Sequence, residues 1–288
     1  MKRTTVLLLI ILFVFHIPMT ALAQEESVVS LGADLTEAQK EQMLELFQAD
    51  EDDGKRIEVT NQEERSYLEG LVSEQKIGTR AISSAYVEIL EEGKGILVET
   101  HNINWVTKEM YANAMVTAGL ENARVIAAAP FEVSGTAALT GIMKAFEEAT
   151  GEELSEDAKK AANEELVTTG ELGDEIGQDK AASLVKEIKE RILREKVTDP
   201  QKIRDIIIEI AGDLNINITQ GQIDQLADLM ERISKLDLNV EKIYGQLENI
   251  TKGRDKVRET INENKGLLQQ ILDAIKNFFA WLSKLLRG

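Results

Sequence analysis

The sequence predicts an α+β protein with an N-terminal α/β sandwich around one mixed sheet and an all-helical C-terminal region. Short β-type runs alternate with capped helices as far as Gly151, and a period of two appears between Ala81 and Ile103. Every later apolar pattern has helical spacing. The 288 residues include three prolines and no cysteine, which favours a helix-rich fold without disulfides.

The predicted elements of the first half follow from local signals. Short strands are expected at Ser27–Leu31 and Ile57–Thr60, and helices at 34–47 and at Gln62–Val72, the second capped by Asn61. The alternating runs 81–89 and 96–103 flank the turn 91–95, which predicts a β-hairpin. A helix from Thr107 to Gly119, a strand over Arg124–Ala129 ended by Pro130, and a helix from Ser134–Thr136 to Gly151 complete the region.

The second half is predicted to contain helices only. These are expected over Ser155–Val167, Ala181–Val197 and Pro200–Ala211, where Asp199-Pro200 is a specific start signal. From Leu226 to Leu285, 16 of the 18 heptad core positions are apolar, with Arg254 and Asn264 as the exceptions. Two interpretations remain open: a coiled coil that joins copies of the chain, or two or three helices packed within one chain. Asp237 and Asn239, which can cap a new helix, favour packed helices.

Residues 267–288 have a wider apolar arc than the preceding heptads, and 271–288 carry a net charge of +2. This combination is typical of a helix that lies on a membrane surface, although docking into the protein's own core fits the pattern as well. The expected interaction residues are Lys276, Phe278, Phe279, Trp281, Leu282, Lys284, Leu285 and Arg287.

Residues 1–23 have the layout of a secretory signal peptide. Lys2 and Arg3 precede an apolar run, and Ala21-Leu22-Ala23 supplies a cleavage site before Gln24. We therefore expect a protein that is secreted or held in the cell envelope, outside the cytoplasmic membrane. The predicted organisation is a signal peptide (1–23), an α/β domain (24–151), a helical region (152–215) and heptad-patterned helices (216–288).

Charge and composition exclude several functions. The whole chain carries −18, and Lys2 and Arg3 are the only charged residues before Gln24, so the mature chain carries −20. Such a surface repels phosphate backbones, so no nucleic-acid partner is expected. Without cysteine and with His101 as the single histidine after residue 23, no Cys/His metal site is expected, and no cofactor motif is present.

Chemical motifs are few. His101 is interpreted as a polar residue on a sheet face, and the acidic run 50–53 as a solvated loop. Ser73-x-x-Lys76 and Ser183-x-x-Lys186 have the spacing of a Ser–Lys pair but lack the companion motifs of such enzymes. The turn Ser134-Gly135-Thr136 joins a strand to a helix and is a candidate anion-binding turn, although close helix–sheet packing explains its small residues as well.

Two stretches resemble a known family. Ser134-Gly135-Thr136-Ala137-Ala138-Leu139-Thr140-Gly141 and the segment 161–174, which contains Thr168-Thr169-Gly170-Glu171-Leu172-Gly173-Asp174, are similar to the YpuA-like family of exported proteins of Gram-positive bacteria. The resemblance implies an extracellular or envelope protein and assigns no catalytic residue. We expect a non-enzymatic protein that acts through protein–protein or membrane-surface contact; the alternative is an envelope hydrolase that uses carboxylates or a Ser–Lys pair.

Overall fold

The structure is a computed structural model that describes residues 26–49, 55–71, 73–239, 241–243 and 245–247. The five strands in this part of the chain are β1 (Ser27–Gly32), β2 (Lys55–Val59), β3 (Ser84–Ile89), β4 (Ile96–Ile103) and β5 (Ala123–Val133). The helices described there are α1 (Glu37–Phe47), α2 (Asn61–Leu68), α3 (Glu74–Ile77), α4 (Lys108–Ala118), α5 (Ala138–Thr150), α6 (Glu156–Ile176), α7 (Gln178–Glu195), α8 (Pro200–Asp213) and α9 (Gln220–Ser234). The predicted α+β class is confirmed.

The strands form one mixed sheet in the order β2-β1-β3-β5-β4. β1 pairs with β2 in parallel and β4 pairs with β5 in parallel, while β3 runs antiparallel to both β1 and β5. Four strands therefore end at the same edge of the sheet, where β3 begins. We call this the carboxyl edge and the opposite one the amino edge.

The predicted hairpin of β3 and β4 is wrong, because β5 lies between these two strands. The run Val125–Ala129 is apolar at every position, as expected for a central strand buried on both faces. The β3–β4 connection crosses the start of β5, where the main-chain N–H of Leu90 donates to Asn122 O at 2.6 Å. The amide of Gly95 donates to Asn122 Oδ1 at 3.1 Å, so Asn122 fixes this crossing.

β5 also continues past Pro130, where the sequence predicted its end. β3 begins at Ser84, opposite Ala128, so no residue of β3 faces the proline nitrogen, which cannot donate a hydrogen bond. On the other side, His101 pairs with Ala128 and Ile103 with Val133, so the extra residues 129–132 of β5, which include Pro130, leave the ladder with β4. Proline is therefore tolerated in a strand that has already left one of its two neighbours.

Two apolar cores flank the sheet. On one face, Val29, Leu31 and Ile126 pack against Met43 and Phe47 of α1. The larger core starts from Val28, Ala85, Val87, Val125 and Ala127 on the other face and continues without interruption through α4 and α5 into α6–α9. α4 is the central wall of this core, because all its residues from Met110 to Ala118 are buried.

Side chains at the helix ends explain most boundaries. Thr36, Thr60, Thr107 and Thr219 each form a capping box with the residue three positions later. The cap of α2 is thus Thr60 rather than Asn61. The predicted start at Asp199-Pro200 is confirmed, since Lys202 N donates to Asp199 Oδ1 at 2.9 Å.

The heptad-patterned region is broken where the sequence predicted. α9 ends at Ser234, and helical structure resumes at residues 241–243 and 245–247, which we call the stem. Lys242 N donates to Asn239 Oδ1 at 3.1 Å, so Asn239 caps the stem. Up to Leu247, separate packed helices replace a single long rod.

Candidate functional site

The carboxyl edge of the sheet is the first candidate site. In open α/β sheets, ligands bind outside the carboxyl ends of the parallel strands. Here this edge carries the ends of β1, β2, β4 and β5 together with the turn Ser134-Gly135-Thr136. The two stretches that resemble the known family, 134–141 and 161–174, both lie at this edge, where they contact Ile103 and Trp105.

The turn Ser134-Gly135-Thr136 is held by main-chain bonds. Val106 N donates to Ser134 O at 3.0 Å, and the amide of Ala138 donates to Gly135 O at 3.2 Å. The phenol of Tyr111 also donates to Gly135 O, and burial raises the pKa of Tyr111, which keeps this donor protonated. These bonds describe a packed β–α connection, and anion binding there stays a prediction.

Gly135 is required by both its conformation and its surroundings. Its φ is +93°, and a Cβ atom would lie 2.4 Å from Ile103 Cγ2. In the second stretch, a Cβ atom on Gly170 would lie 2.3 Å from Cη2 of Trp105. Ile103 ends β4 and Trp105 follows it in the loop to α4, so both stretches pack against this one segment.

Trp105 is fixed at this position by a polar contact. Its indole Nε1 donates to Asp174 Oδ1 at 2.8 Å. Gln178 Nε2 donates to Gly170 O and to Asp174 Oδ1, each at 3.2 Å. α6 therefore runs through Gly170 and Gly173 to Ile176, beyond its predicted end at Val167, because neighbouring side chains fill the space that the glycines leave.

Glu64 of α2 is a buried carboxyl group that sequence reasoning missed. It is 1% exposed, and its Oε2 accepts from Asn61 Nδ2 at 3.2 Å. Its Oε1 has no hydrogen-bond partner among the described residues. Burial, opposed by the hydrogen bond from Asn61 and reinforced by the negative charges of Asp34 and Glu63, raises the pKa of Glu64 to about 7.

Contacts at both ends of α2 orient this helix along α5. Leu68 packs near Ala137, and Glu63 accepts from Lys144 Nζ at 2.6 Å, so α2 and α5 run antiparallel. Thr140 Oγ1 and Ser30 Oγ are likewise buried without a partner among the described residues, and Ser30 Oγ would lie 2.6 Å from a Cβ on Gly141. The sequence does contain a signal for the burial of Glu64, because Glu64 precedes the buried Leu68 by one helical turn and so shares its face of α2.

Lys189 of α7 is a second buried ionic group. It is fully buried, and its Nζ donates to Asn113 O at 2.7 Å, Thr117 Oγ1 at 2.8 Å and Glu165 Oε1 at 2.7 Å. Burial lowers the pKa of Lys189, while the adjacent Glu165 carboxylate opposes that shift. Since Glu165 is 1% exposed, the cluster is closed to substrates and joins α4, α6 and α7.

The other predicted residues lie apart from these groups. His101 is exposed on β4, and Ser73 is exposed at the start of α3. Ser183 is half-buried on α7, and Lys186 Nζ lies 3.9 Å from Glu190 Oε2. The acidic run 50–53 and the interaction residues between Lys276 and Arg287 lie outside the described residues.

The described part of the heptad seam packs inside the protein. Its buried members are Leu226, Leu229, Ile233, Ile243 and Leu247. A cavity of about 190 Å³ separates the end of α4 from the stem, and another of about 210 Å³ lies where α7 and α9 end. Leu238 lines both cavities. Seam positions from Ile250 to Leu285 lie outside the described residues, so self-association through them stays a prediction.

The part of the chain that the structure describes offers neither a cluster of metal ligands nor a membrane-spanning helix. Within it, no three His, Asp or Glu side chains are grouped so that they could hold a metal ion. None of the described helices has the length and apolar character needed to cross a bilayer.

Comparison with known proteins gives two matches. The model of the family described as "Protein of unknown function (DUF1002)" matches residues 31–250. "Uncharacterized protein YpuA" of Bacillus subtilis (strain 168) is 42% identical over 267 residues, which cover 92% of this chain and 91% of that protein. The resemblance inferred from the two stretches is thereby confirmed. No solved structure matches the chain significantly.

Proposed function

Because the chain belongs to the DUF1002 family of proteins of unknown function, we propose its role from its own residues: an exported envelope protein that acts through contact rather than catalysis. Heptad positions 250–285 join copies of the chain, and residues 267–288 contact the membrane surface. The signal-peptide layout of residues 1–23 supports export.

One observation carries the contact proposal. The apolar heptad positions run from Ile250 to Leu285, with Arg254 and Asn264 as the only polar members. A seam of this kind buries its apolar side chains against another helix, and contiguous apolar surface marks interaction sites. The net +2 charge of 271–288 in a mature chain of −20 favours an anionic surface as its partner.

The test compares chain 24–288 with chain 24–266. We expect the shorter chain to lose cosedimentation with anionic lipid vesicles and to show a lower average mass in light scattering. Unchanged vesicle binding together with unchanged mass would count decisively against the proposal.

A matched variant separates the two contacts. Replacing Lys276, Lys284 and Arg287 with Gln removes the positive charge but keeps the apolar arc. We expect weaker binding to anionic vesicles and unchanged self-association. If this variant bound vesicles as tightly as the parent chain does, charge attraction would be excluded as a cause of membrane binding.

Glu64 is the observation that favours the second candidate, a hydrolase that uses carboxylates. A carboxyl group with a pKa of about 7 suits general acid–base catalysis near neutral pH. We rank it second because Glu64 is 1% exposed. Turnover of glycoside, peptide or ester substrates that disappears in Glu64→Gln would establish this candidate, and no turnover by the parent chain would remove it.

A further inference from the structure

The stem belongs to two apolar patterns at once. Ile243 and Leu247 are buried in the core of the protein, at 6% and 0% exposure. They also occupy core positions of the heptads that continue with Ile250, in the same phase as Leu226 and Ile233. If the stem only docked on α4, its apolar residues would not need to keep the heptad register of α9, because the turn at 235–239 separates the two segments.

The polar contacts between the stem and the segment that follows α4 are weak. Asn122 N lies 3.5 Å from Gln246 Oε1, and Gln246 Nε2 lies 3.4 Å from Asn122 Oδ1, so both hydrogen bonds are long. The ion pair of Lys242 with Glu121, at 3.1 Å, is more than half exposed on the lysine side. The cavity of about 190 Å³ between α4 and the stem removes packing contacts that a tight interface would have.

We infer that the stem detaches from α4 and that Ile243 and Leu247 then extend the heptad seam against a second copy of this chain. The inference rests on the self-association proposed above and adds that docking of the stem regulates it. When the stem is docked, two core positions are hidden, and only the undocked fraction of molecules can pair over the full seam. Because both chains of a dimer must be undocked, the apparent dimer affinity is reduced by the square of that fraction.

Lys242 allows docking and pairing to be tested separately. It occupies a heptad position that points away from the seam, two residues after the core position 240. On the docked stem it is attracted by Glu121, Glu152 and Glu92. Lys242→Glu thus weakens docking through repulsion and leaves the seam residues unchanged.

The experiment measures the mass of chain 24–288 against concentration by sedimentation equilibrium, with amide exchange of residues 241–247 as a second readout. We expect Lys242→Glu to accelerate this exchange and to lower the dimer dissociation constant roughly three- to tenfold. The charge swap Glu121→Lys with Lys242→Glu restores the pairing of opposite charges. It should return both readouts toward those of the parent chain.

Two outcomes overturn the inference. Faster exchange in Lys242→Glu with an unchanged dissociation constant would show that the stem detaches without joining a seam. Exchange at 241–247 that is as slow as in the core helices, in both the parent chain and Lys242→Glu, would show that the stem does not detach. Ile261→Asp, in the seam beyond the stem, tests the underlying self-association: if the parent chain, Lys242→Glu and Ile261→Asp are all monomers, the proposed function fails with the inference.

Discussion

Lys189 brings an amino group into a core that excludes water, and three oxygen-bearing groups compensate for its lost hydration. A buried ion pair of this kind is weak evidence for stability, because the desolvation of both ions offsets much of their attraction. Its clearest effect is on the specificity of helix packing. The alignment of α4, α6 and α7 is restricted to the one that brings Asn113, Thr117 and Glu165 to the same nitrogen.

Removing one ion of this pair should cost much more than removing both. Lys189→Met leaves Glu165 buried without its cation, and we expect the free energy of unfolding at pH 7 to fall by about 3–5 kcal/mol. The double variant Lys189→Met, Glu165→Leu leaves no buried charge and should recover most of that loss. Urea denaturation measures both. A double variant less stable than Lys189→Met would contradict this account.

Glu64 should make the protein less stable as the pH rises. Its folded-state pKa is about 7 and its ordinary value is 4.5, so the unfolded chain releases its proton more readily. The free energy of unfolding should therefore fall between about pH 4.5 and 7, by about 3 kcal/mol in total from this group. Glu64→Gln should be more stable than the parent chain at pH 8 and nearly equal to it at pH 4.5, as measured by urea denaturation.

The neighbouring Glu63 provides the matched control. Burial alone would raise the pKa of Glu63, but hydrogen bonds from Lys144 and Thr60 lower it below its ordinary value. Its contribution to stability is present above the unfolded-state pKa and disappears as the pH falls through the folded-state pKa. Glu63→Gln should hence be less stable than the parent chain at pH 8. Equal responses of the two variants would show that burial of Glu64 has no such effect.

At the scale of single elements, α6 depends on glycine where Trp105 crosses it. Alanine normally stabilises a helix interior by about 1 kcal/mol relative to glycine. At Gly170, a methyl group must displace the indole and its bond to Asp174, so we expect Gly170→Ala to lower the free energy of unfolding by about 1–3 kcal/mol. Thermal denaturation followed by circular dichroism measures the change.

Gly212 of α8 is the appropriate comparison for Gly170. A Cβ atom at Gly212 would meet nothing within 4 Å, so Gly212→Ala should gain the intrinsic helical preference of about 0.5–1 kcal/mol. Opposite signs for the two substitutions are expected. Stabilisation by both would mean that Trp105 moves aside without cost.

Local signals predicted most elements, whereas the pairing of strands depended on residues far apart in the chain. Strands β3 and β4 were predicted at nearly their observed bounds, yet they are not neighbours. The apolar run Val125–Ala129 was the available sign, because a strand without polar residues belongs at the centre of a sheet. Asn239 was recognised as a cap because capping is a local interaction.

The buried ionic groups could be predicted only in part. Lys189 and Glu64 each fall on the buried face of an amphipathic helix, where a charge is unexpected and therefore informative. The partners of Lys189 come from other elements, since Glu165 lies on α6 and Thr117 on α4. Helical periodicity contains no information about such encounters between elements.

For the whole molecule, the continuous core predicts cooperative unfolding. The apolar cluster that begins on the sheet continues through α4 to α9 and the stem, with no polar layer at residue 151, where composition changes. We expect a single peak in scanning calorimetry of chain 24–288, with equal calorimetric and van't Hoff enthalpies. Two separate peaks would show that the sheet and the helical region unfold independently.

α4 also connects the two edges of the sheet. It begins beside Trp105 at the carboxyl edge and ends at Gly119, which lines the cavity below the stem. Its 11 residues form a helix about 16 Å long, and all of them from Met110 to Ala118 are buried. A tilt of one end of α4 when the stem departs would move the indole at the other end. In a Trp281→Phe variant, which leaves Trp105 as the single tryptophan, indole fluorescence would therefore report events at the far edge.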